Sequence, residues 1–353
     1  PYKLRVAAEP IDRFLTYRLI EPGYIAFKQM GIYQRDLTGF DVRTLYETPE
    51  KHCVNCHNYQ GHGTGRMMLH VRGNDAGTLI CDGKDIAKLK FPEQIPHGAT
   101  YPAWHPERRW LVFSSNSTNQ SFHINHPEKI EVQDMASDLI FYNHDTRTAR
   151  YILRTDSVLE TFPHWAPDGR RLYFTAAHVP DAARLTEEER TAYFLSHYKE
   201  LRYDIMYMDF DTSTQTFGQP RTLVNCSKEG KSASVARVSP DGRYLLYTLA
   251  DYGQFHIWHR SADLWICNLQ DSVPDPRPLA EANSKEADSY HSWSSNGRWI
   301  VFSSRRDDGS YTRPYFAYFN RKGHACKPFM LPVESPDDHI LLLKSYNVPE
   351  LTR

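Results

Sequence analysis

The sequence predicts an all-β chain, a β-propeller of about six four-stranded blades, and three observations carry that prediction. Tyr (22), Phe (17) and Trp (7) are abundant in the 353 residues and alternate with Gly- and Pro-containing turns, the composition of many short strands. One hairpin pattern recurs four times, starting at Tyr101 (YPAWHPERRWLVFSS), Phe162 (FPHWAPDGRRLYFTA), Val235 (VARVSPDGRYLLYTL) and Tyr290 (YHSWSSNGRWIVFSS). Each copy is followed by two further short strands, and four antiparallel strands per repeat is the unit of a propeller.

The turn inside each hairpin has its own chemistry. Pro167 and Pro240 preset φ, Asp168, Asp241 and Asn296 can bond their own backbone, and Gly169, Gly242 and Gly297 accept positive φ. The later strands are predicted at 138–144 and 150–154, 204–210 and 220–224, 263–269 and 277–280, and 314–320 and 327–331. Trp104, Trp165, Val238 and Trp293 mark equivalent positions, spaced more widely than the roughly 40 to 50 residues of a bare blade. Insertions explain the excess. Residues 181–203 read as helical, with Thr186 and Glu189 at capping-box spacing and an apolar stripe behind them. Residues 116–136, rich in Asn, Ser, His and Pro, read as a long surface loop on the same face.

Upstream, 66–71, 77–81 and 86–90 read as later strands of another blade whose first strand is 53–59, which places Cys56 at the tryptophan position. Segments 31–37 and 42–48 read as a third and fourth strand, and 24–28 as a second. A strand within 339–346 would close the ring, so the last blade is shared by the two ends of the chain. Residues 1–20 are assigned to an N-terminal extension and 21–353 to a single propeller domain.

The 42 Lys and Arg nearly balance the 43 Asp and Glu, which argues against a nucleic-acid partner. No run is long enough for a transmembrane helix, and a chain opening at Pro1 without a charged-then-apolar segment reads as a processed one. Six cysteines are too few and too scattered for a disulfide-built scaffold. There is no Gly-x-Ser-x-Gly, His-Glu-x-x-His or phosphate-binding glycine loop, so the common hydrolase and nucleotide signatures fail. An enzyme acting on glycosides or peptides is the least favoured reading, since paired carboxylates can be assembled from distant positions.

One motif names a chemistry. In Cys53-Val54-Asn55-Cys56-His57 two thiols at CxxC spacing are followed by histidine, the pattern by which haem c is attached, with His57 as proximal iron ligand. In a regular strand, residues three apart face opposite sides, so this reading requires the strand to break there. Met67 or His70 would supply the distal ligand, with Met68 and His62 as further local candidates. Two other readings stand beside it: a structural cysteine pair, and a zinc site completed by His62 or His70. A second constellation lines the predicted channel. Positions aligned with Ala103 are Asn55, His164, Arg237 and Ser292, and His291 adds an imidazole, a set suited to an anion or a peptide terminus or to hydrogen bonding between blades. Arg305, Arg306, Asp307, Asp308 and Arg313 read as a solvated, charge-rich loop.

These hairpins resemble the repeats of TolB-type propellers, Pro-x-Trp-x-Pro-Asp-Gly-Arg-x-Leu-x-Phe-x-Ser. From about Arg18 onward the chain resembles a bacterial family of exported TolB-like proteins carrying one Cys-x-x-Cys-His. The matching segments are 53–58, 290–295 (YHSWSS), 303–309 (SSRRDDG), 311–318 (YTRPYFAY) and 344–350 (KSYNVPE). The resemblance implies a periplasmic or outer-membrane-associated protein, with a lipid anchor upstream of Pro1 and an envelope complex or peptide as partner. The resemblance supplies no activity; the motif and the channel together give two functional expectations, a non-enzymatic binding or assembly module, with or without one haem c, and a monohaem cytochrome for electron transfer.

Overall fold

The computed structural model describes residues 6–21, 30–48, 52–73, 76–93, 95, 99–123, 125–126, 128–335 and 337–353, with Cys56 described in its backbone alone. Six antiparallel sheets form the ring. Blade 1 combines β1 (Phe14–Ile20), β2 (Gly31–Asp36) and β3 (Val42–Glu47) with the last strand of the chain, β25 (Ser345–Thr352). Blade 2 is β4 (Cys53–Tyr59), β5 (Arg66–Arg72), β6 (Gly77–Asp82) and β7 (Asp85–Lys88). Blade 3 is β8 (Ala99–Trp104), β9 (Trp110–Phe122), β10 (Ile130–Asn143) and β11 (Thr148–Leu153). Blade 4 is β12 (Val158–Trp165), β13 (Arg171–His178), β14 (Asp204–Asp211) and two short outer strands, β15 (Thr216–Phe217) and β16 (Arg221–Val224). Blade 5 is β17 (Ser232–Val238), β18 (Tyr244–Ala250), β19 (Asp263–Asn268) and β20 (Arg277–Pro278), and blade 6 is β21 (Asp288–Trp293), β22 (Trp299–Ser304), β23 (Arg313–Tyr318) and β24 (Phe329–Met330). The expected architecture of six four-stranded blades with a mixed closing blade is the one observed.

The hairpin turns form for the reasons the sequence suggested. Gly169, Gly242 and Gly297 sit at φ of 67°, 71° and 64°. Asp168, Asp241 and Asn296 each accept the backbone N–H two residues on, at 3.0, 3.1 and 2.9 Å. Blade 3 lacks the Asp-Gly pair, and there His105 does the work, its Nδ1 accepting the N–H groups of Glu107 (3.2 Å) and Arg108 (3.1 Å). Between blades, Trp104 and Trp293 donate Nε1–H to the carbonyls of Asn58 (3.2 Å) and Arg237 (3.1 Å) in the preceding blade. Burying such rings while satisfying their one polar group joins neighbouring sheets at the innermost strands.

Several boundaries differ from expectation. The segment assigned to an N-terminal extension contributes β1, which is the second strand of blade 1 and pairs with both β2 and β25. The strand expected at 24–28 lies outside the described residues. The closing strand is β25 and not 339–346, because Ile340, Leu341 and Leu343 are exposed on and beside a short helix, α2 (Asp338–Leu341). The expected helical insertion is α1 (Glu187–His197), capped at Thr186 by the reciprocal bonds of a capping box with Glu189. Residues 116–136 are not a loop. β9 and β10 continue past the blade as a two-stranded ribbon, paired from Trp110–Asn143 out to Phe122–Ile130. Their polar faces suit an arm that leaves the sheet, and composition alone hid the pairing. In the charge-rich loop Asp307 and Asp308 are exposed as expected, but the arginines are not a solvated face. Arg313 is buried and donates to four main-chain carbonyls, those of Thr312, His339, Leu342 and Lys344, while Arg305, 2% exposed, lies 3.6 Å above the Trp258 ring.

In each blade the connection between the second and third strands emerges at the end where the innermost strands begin, here called the upper face. The ribbon, α1 and the 251–262 connection all lie there. The ribbon leans toward blade 5: Glu131 accepts from Tyr252 OH (2.5 Å) and meets His259 Nε2 at 3.1 Å, and Ile130 packs with Ile257 and Trp258.

Candidate functional site: a partitioned axial channel

The innermost strands ring the axis in the order β25, β4, β8, β12, β17, β21. Every one of them breaks register at the same depth. The slips fall between Asn55 and Asn58, Thr100 and Ala103, Thr161 and His164, Ser234 and Arg237, and Ser289 and Ser292, and the β25 pairing with β1 shifts between Asn347 and Glu350. The residue after each slip begins is left-handed: Tyr101 (φ 46°), Phe162 (51°), Val235 (52°), Tyr290 (45°) and Val348 (47°). Cys56 holds the sixth such place in the register.

This shifts the alignment of the cysteine motif by three residues. Tyr59, not Cys56, corresponds to Trp104, and Asn58, not Asn55, corresponds to Ala103. The strand therefore does break where haem attachment requires it. The break is nonetheless common to all six blades, so it is a property of the scaffold and gives no support to haem in particular.

Left-handed φ costs a branched or aromatic residue of order 1–3 kcal/mol, and none of the five is glycine. The side chains are what the positions retain. Tyr101, Phe162, Val235, Tyr290 and Val348 join Ile20, Ile130, Ile257 and Trp258 in one apolar cluster around the upper channel. Replacing Val235 by Gly is expected to change stability little, because strain relief of about 1–3 kcal/mol offsets lost burial of about 1.5–3 kcal/mol. Phe162→Ala keeps the strain and loses the ring, an expected cost of about 3–5 kcal/mol. Urea unfolding of the two variants checks this, and equal losses would contradict it.

Two cavities occupy the channel. The upper chamber, about 400 Å³, is lined by the apolar collar, the inner face of the ribbon (Thr118, Gln120, Ile130, Val132), and Arg18, Arg72, Cys53 and Asn55. The lower chamber, about 230 Å³, is lined by His62, His164, Ser292, Glu350 and the rims of Trp104, Trp165 and Trp293. His57, Arg237, His291 and Val348 line both and form the partition.

The partition holds one cation among neutral imidazoles. Burial, helped by the Arg18 charge, pushes His57 down to about 3, and burial does the same to His291. Burial and the Arg237 charge hold His164 well below its ordinary value. Arg237 Nη1 donates to His164 Nδ1 at 3.2 Å and, among the described residues, enters no ion pair within 4.0 Å. His57 is 3% exposed with neither ring nitrogen hydrogen-bonded, and Asn55 Oδ1, His291 Nδ1, Ser292 Oγ and Asn347 Oδ1 are likewise buried without partners. Buried polar groups without partners are expensive, and here they converge on cavities.

The predicted site residues separate. Asn55, His57, Arg237, His291 and Cys53 meet at the upper chamber, while His164 lies below. Met67 packs in the core of blade 2 with Ile32 and Val54, and His70 is buried with Nδ1 bonded to Thr78 Oγ1 at 3.0 Å. Neither lines a chamber. His62 lines the lower chamber, away from His70, and no group of three or more His, Cys, Asp or Glu among the described residues is arranged to hold a metal ion. Sequence reasoning missed Glu350. It is the Ala103 equivalent of the closing strand, visible only once β25 is placed in register.

No family model matches the chain, and no curated protein matches it in sequence. Solved structures do share its architecture. A putative TolB from Agrobacterium tumefaciens is 15% identical with a TM-score of 0.52, the match covering 92% of this chain and 90% of that one. An oligogalacturonate lyase in complex with manganese is 10% identical (TM-score 0.48, 91% and 75% covered), and a luciferin-regenerating enzyme 11% identical (TM-score 0.46, 88% and 94% covered). At 15% identity the likeness to the putative TolB is one of fold alone, and the fold is a six-bladed β-propeller.

Proposed function

We propose that the protein is a non-enzymatic binding module of the bacterial envelope, periplasmic or outer-membrane-associated, that holds the carboxylate-bearing end of an apolar peptide or partner protein in its upper chamber. The observation that carries this reading is Arg237, a buried guanidinium at the chamber floor with a neutral imidazole as its side-chain partner and no carboxylate within ion-pair distance. A guanidinium so placed favours a carboxylate strongly, since charge-assisted bonds gain in a site with little water. The aromatic collar above it suits the last side chains of such a ligand. A peptide ending in Phe with a free carboxylate, compared by calorimetry with its C-terminal amide, tests the proposal. The free acid is expected to bind roughly tenfold or more tightly than the amide, and Arg237→Met to abolish the difference. Equal binding of acid and amide would sink the reading.

A second reading is a monohaem protein. It is favoured by His57, whose ring nitrogens are both unengaged, and by the Cys53 thiol lining the same chamber. Cys53 and Cys56 would carry the thioether bonds and His57 the proximal bond, and the haem would supply one-electron redox chemistry. Secretion from cells containing haem-attachment machinery tests it: a Soret band that survives denaturation supports the reading, and its absence there removes it.

A further inference from the structure

The lower chamber presents a carboxyl and a guanidinium that feel each other's field but form no ion pair within 4.0 Å. Glu350 projects from β25 in blade 1 and Arg237 from β17 in blade 5, with blade 6 between them. Glu350 is held by main chain and amide alone, Oε1 accepting from Asn58 Nδ2 (3.2 Å) and Tyr59 N–H (3.1 Å), and Oε2 from the same N–H (3.3 Å). Its side chain is 13% exposed and lines this chamber, and among the described residues the only cationisable group within 4.0 Å is His57 Nε2 at 3.9 Å. That imidazole is kept neutral by burial. Arg237 is oriented by its bond to His164 and lacks a carboxylate. Two buried side chains add unpartnered atoms, His57 through both ring nitrogens and His291 through Nδ1.

We propose that the lower chamber is a second binding site, distinct from the upper one, for a small zwitterionic α-amino acid whose ammonium meets Glu350 and whose carboxylate meets Arg237. The cavity, about 230 Å³, suits a molecule of that size better than a peptide. Either charge alone in the chamber would leave the other buried and uncompensated, and a zwitterion completes both. Ser292 Oγ and His291 Nδ1 remain available to the ligand's polar atoms.

Calorimetry near neutral pH with glycine, L-alanine and L-serine tests this. At least one amino acid is expected to bind, and methylammonium or acetate alone to bind roughly tenfold or more weakly. Glu350→Gln keeps an acceptor for Tyr59 and is expected to abolish amino-acid binding. The same variant leaves the upper-chamber peptide in place, so this proposal and the one for the upper chamber fail separately, although both use Arg237. No binding by any of the three amino acids, or binding unchanged in Glu350→Gln, overturns it.

Discussion

Replacing Glu160 by Gln is expected to make the protein markedly more stable in mildly alkaline solution and to leave it nearly unchanged in mild acid. Glu160 is 2% exposed, its Oε2 has no partner, and its neighbours include two further acids, buried Asp134 and half-buried Asp138. Burial, then the charges of Asp138 and Asp134, raises it to about 9, and burial raises Asp134 to about 7 and Asp138 to about 6. Asp134 has compensation, accepting both hydrogen bonds from Asn116 Nδ2 at 3.1 Å, whereas Glu160 has none for its second oxygen.

The sign follows from proton counting. These carboxyls lie above their unfolded values of about 4, so the folded state holds protons that the unfolded state has lost. Stability therefore falls as pH rises toward the folded values. Histidines act oppositely. His57, His256 and His291, all pushed down to about 3 by burial, remove stability as pH drops below about 6.5. Above that point the raised acids set the slope, roughly 1.4 kcal/mol per pH unit for each proton held, until the buried Cys226 and Cys267 thiols, also raised, add to it from about 8.5 upward. Denaturant unfolding of wild type and Glu160→Gln from near neutrality to about pH 9 reads this directly. Parallel stability curves would show that the proton is not held at this cluster.

Ending the chain before Ser345 is expected to abolish cooperative folding. β25 is the innermost strand of blade 1, and without it β1 loses the partners that pair Phe14 with Thr352 and Ile20 with Ser345. The loss reaches the neighbouring blade. Tyr346 and Leu351 belong to a core that joins Leu15 and Tyr17 of blade 1 to Val301 and Phe316 of blade 6. Blade 2 loses the carboxyl that holds the Tyr59 N–H and the bond from the Arg353 N–H to His62 O (2.8 Å). Each buried aromatic or leucine removed costs about 2–5 kcal/mol, against a total stability of about 5–15 kcal/mol for an ordinary domain. The truncated chain should unfold without a sharp transition, and a synthetic 345–353 peptide added in trans should restore one. A cooperative transition in the truncated chain alone would refute the argument.

The propeller was legible because the hairpin repeats carry turn chemistry and strand periodicity together, and four copies reinforce each other. Blade 2 was harder. Its innermost strand has Tyr59 where the sister strands have tryptophan, and its turn, 60–65, lacks the Pro-Asp-Gly pattern, so the motif was set three residues out of register. The ribbon of β9 and β10 was missed because its strand residues, such as Ser117, Asn119 and Gln133, are polar and their pairing is decided by each other more than by a core. The closing strand was displaced toward Ile340-Leu341-Leu342-Leu343, since apolar runs read as strands, whereas β25 carries polar Asn347 and Glu350 and an interrupting Pro349. Of the residues lining the channel, Asn55, Arg237, His164 and His291 were placed there from the sequence, whereas His57 was read only as a haem ligand. The partition between two chambers was not, because it depends on a slip in register that no single strand announces.

The sharing of blade 1 between the two ends of the chain has a temporal side. During synthesis β1 appears before the other described strands and β25 after them, so for most of that interval the ring is an open arc and neither chamber exists. Its concave side then exposes Cys53, His57 and the aromatic collar laterally to whatever is nearby. Once Ser345–Thr352 docks, the only routes inward are the two mouths. Any group too wide for those mouths has to be in place before the final strand arrives, which makes the order of events, and not affinity alone, a determinant of what the finished protein contains.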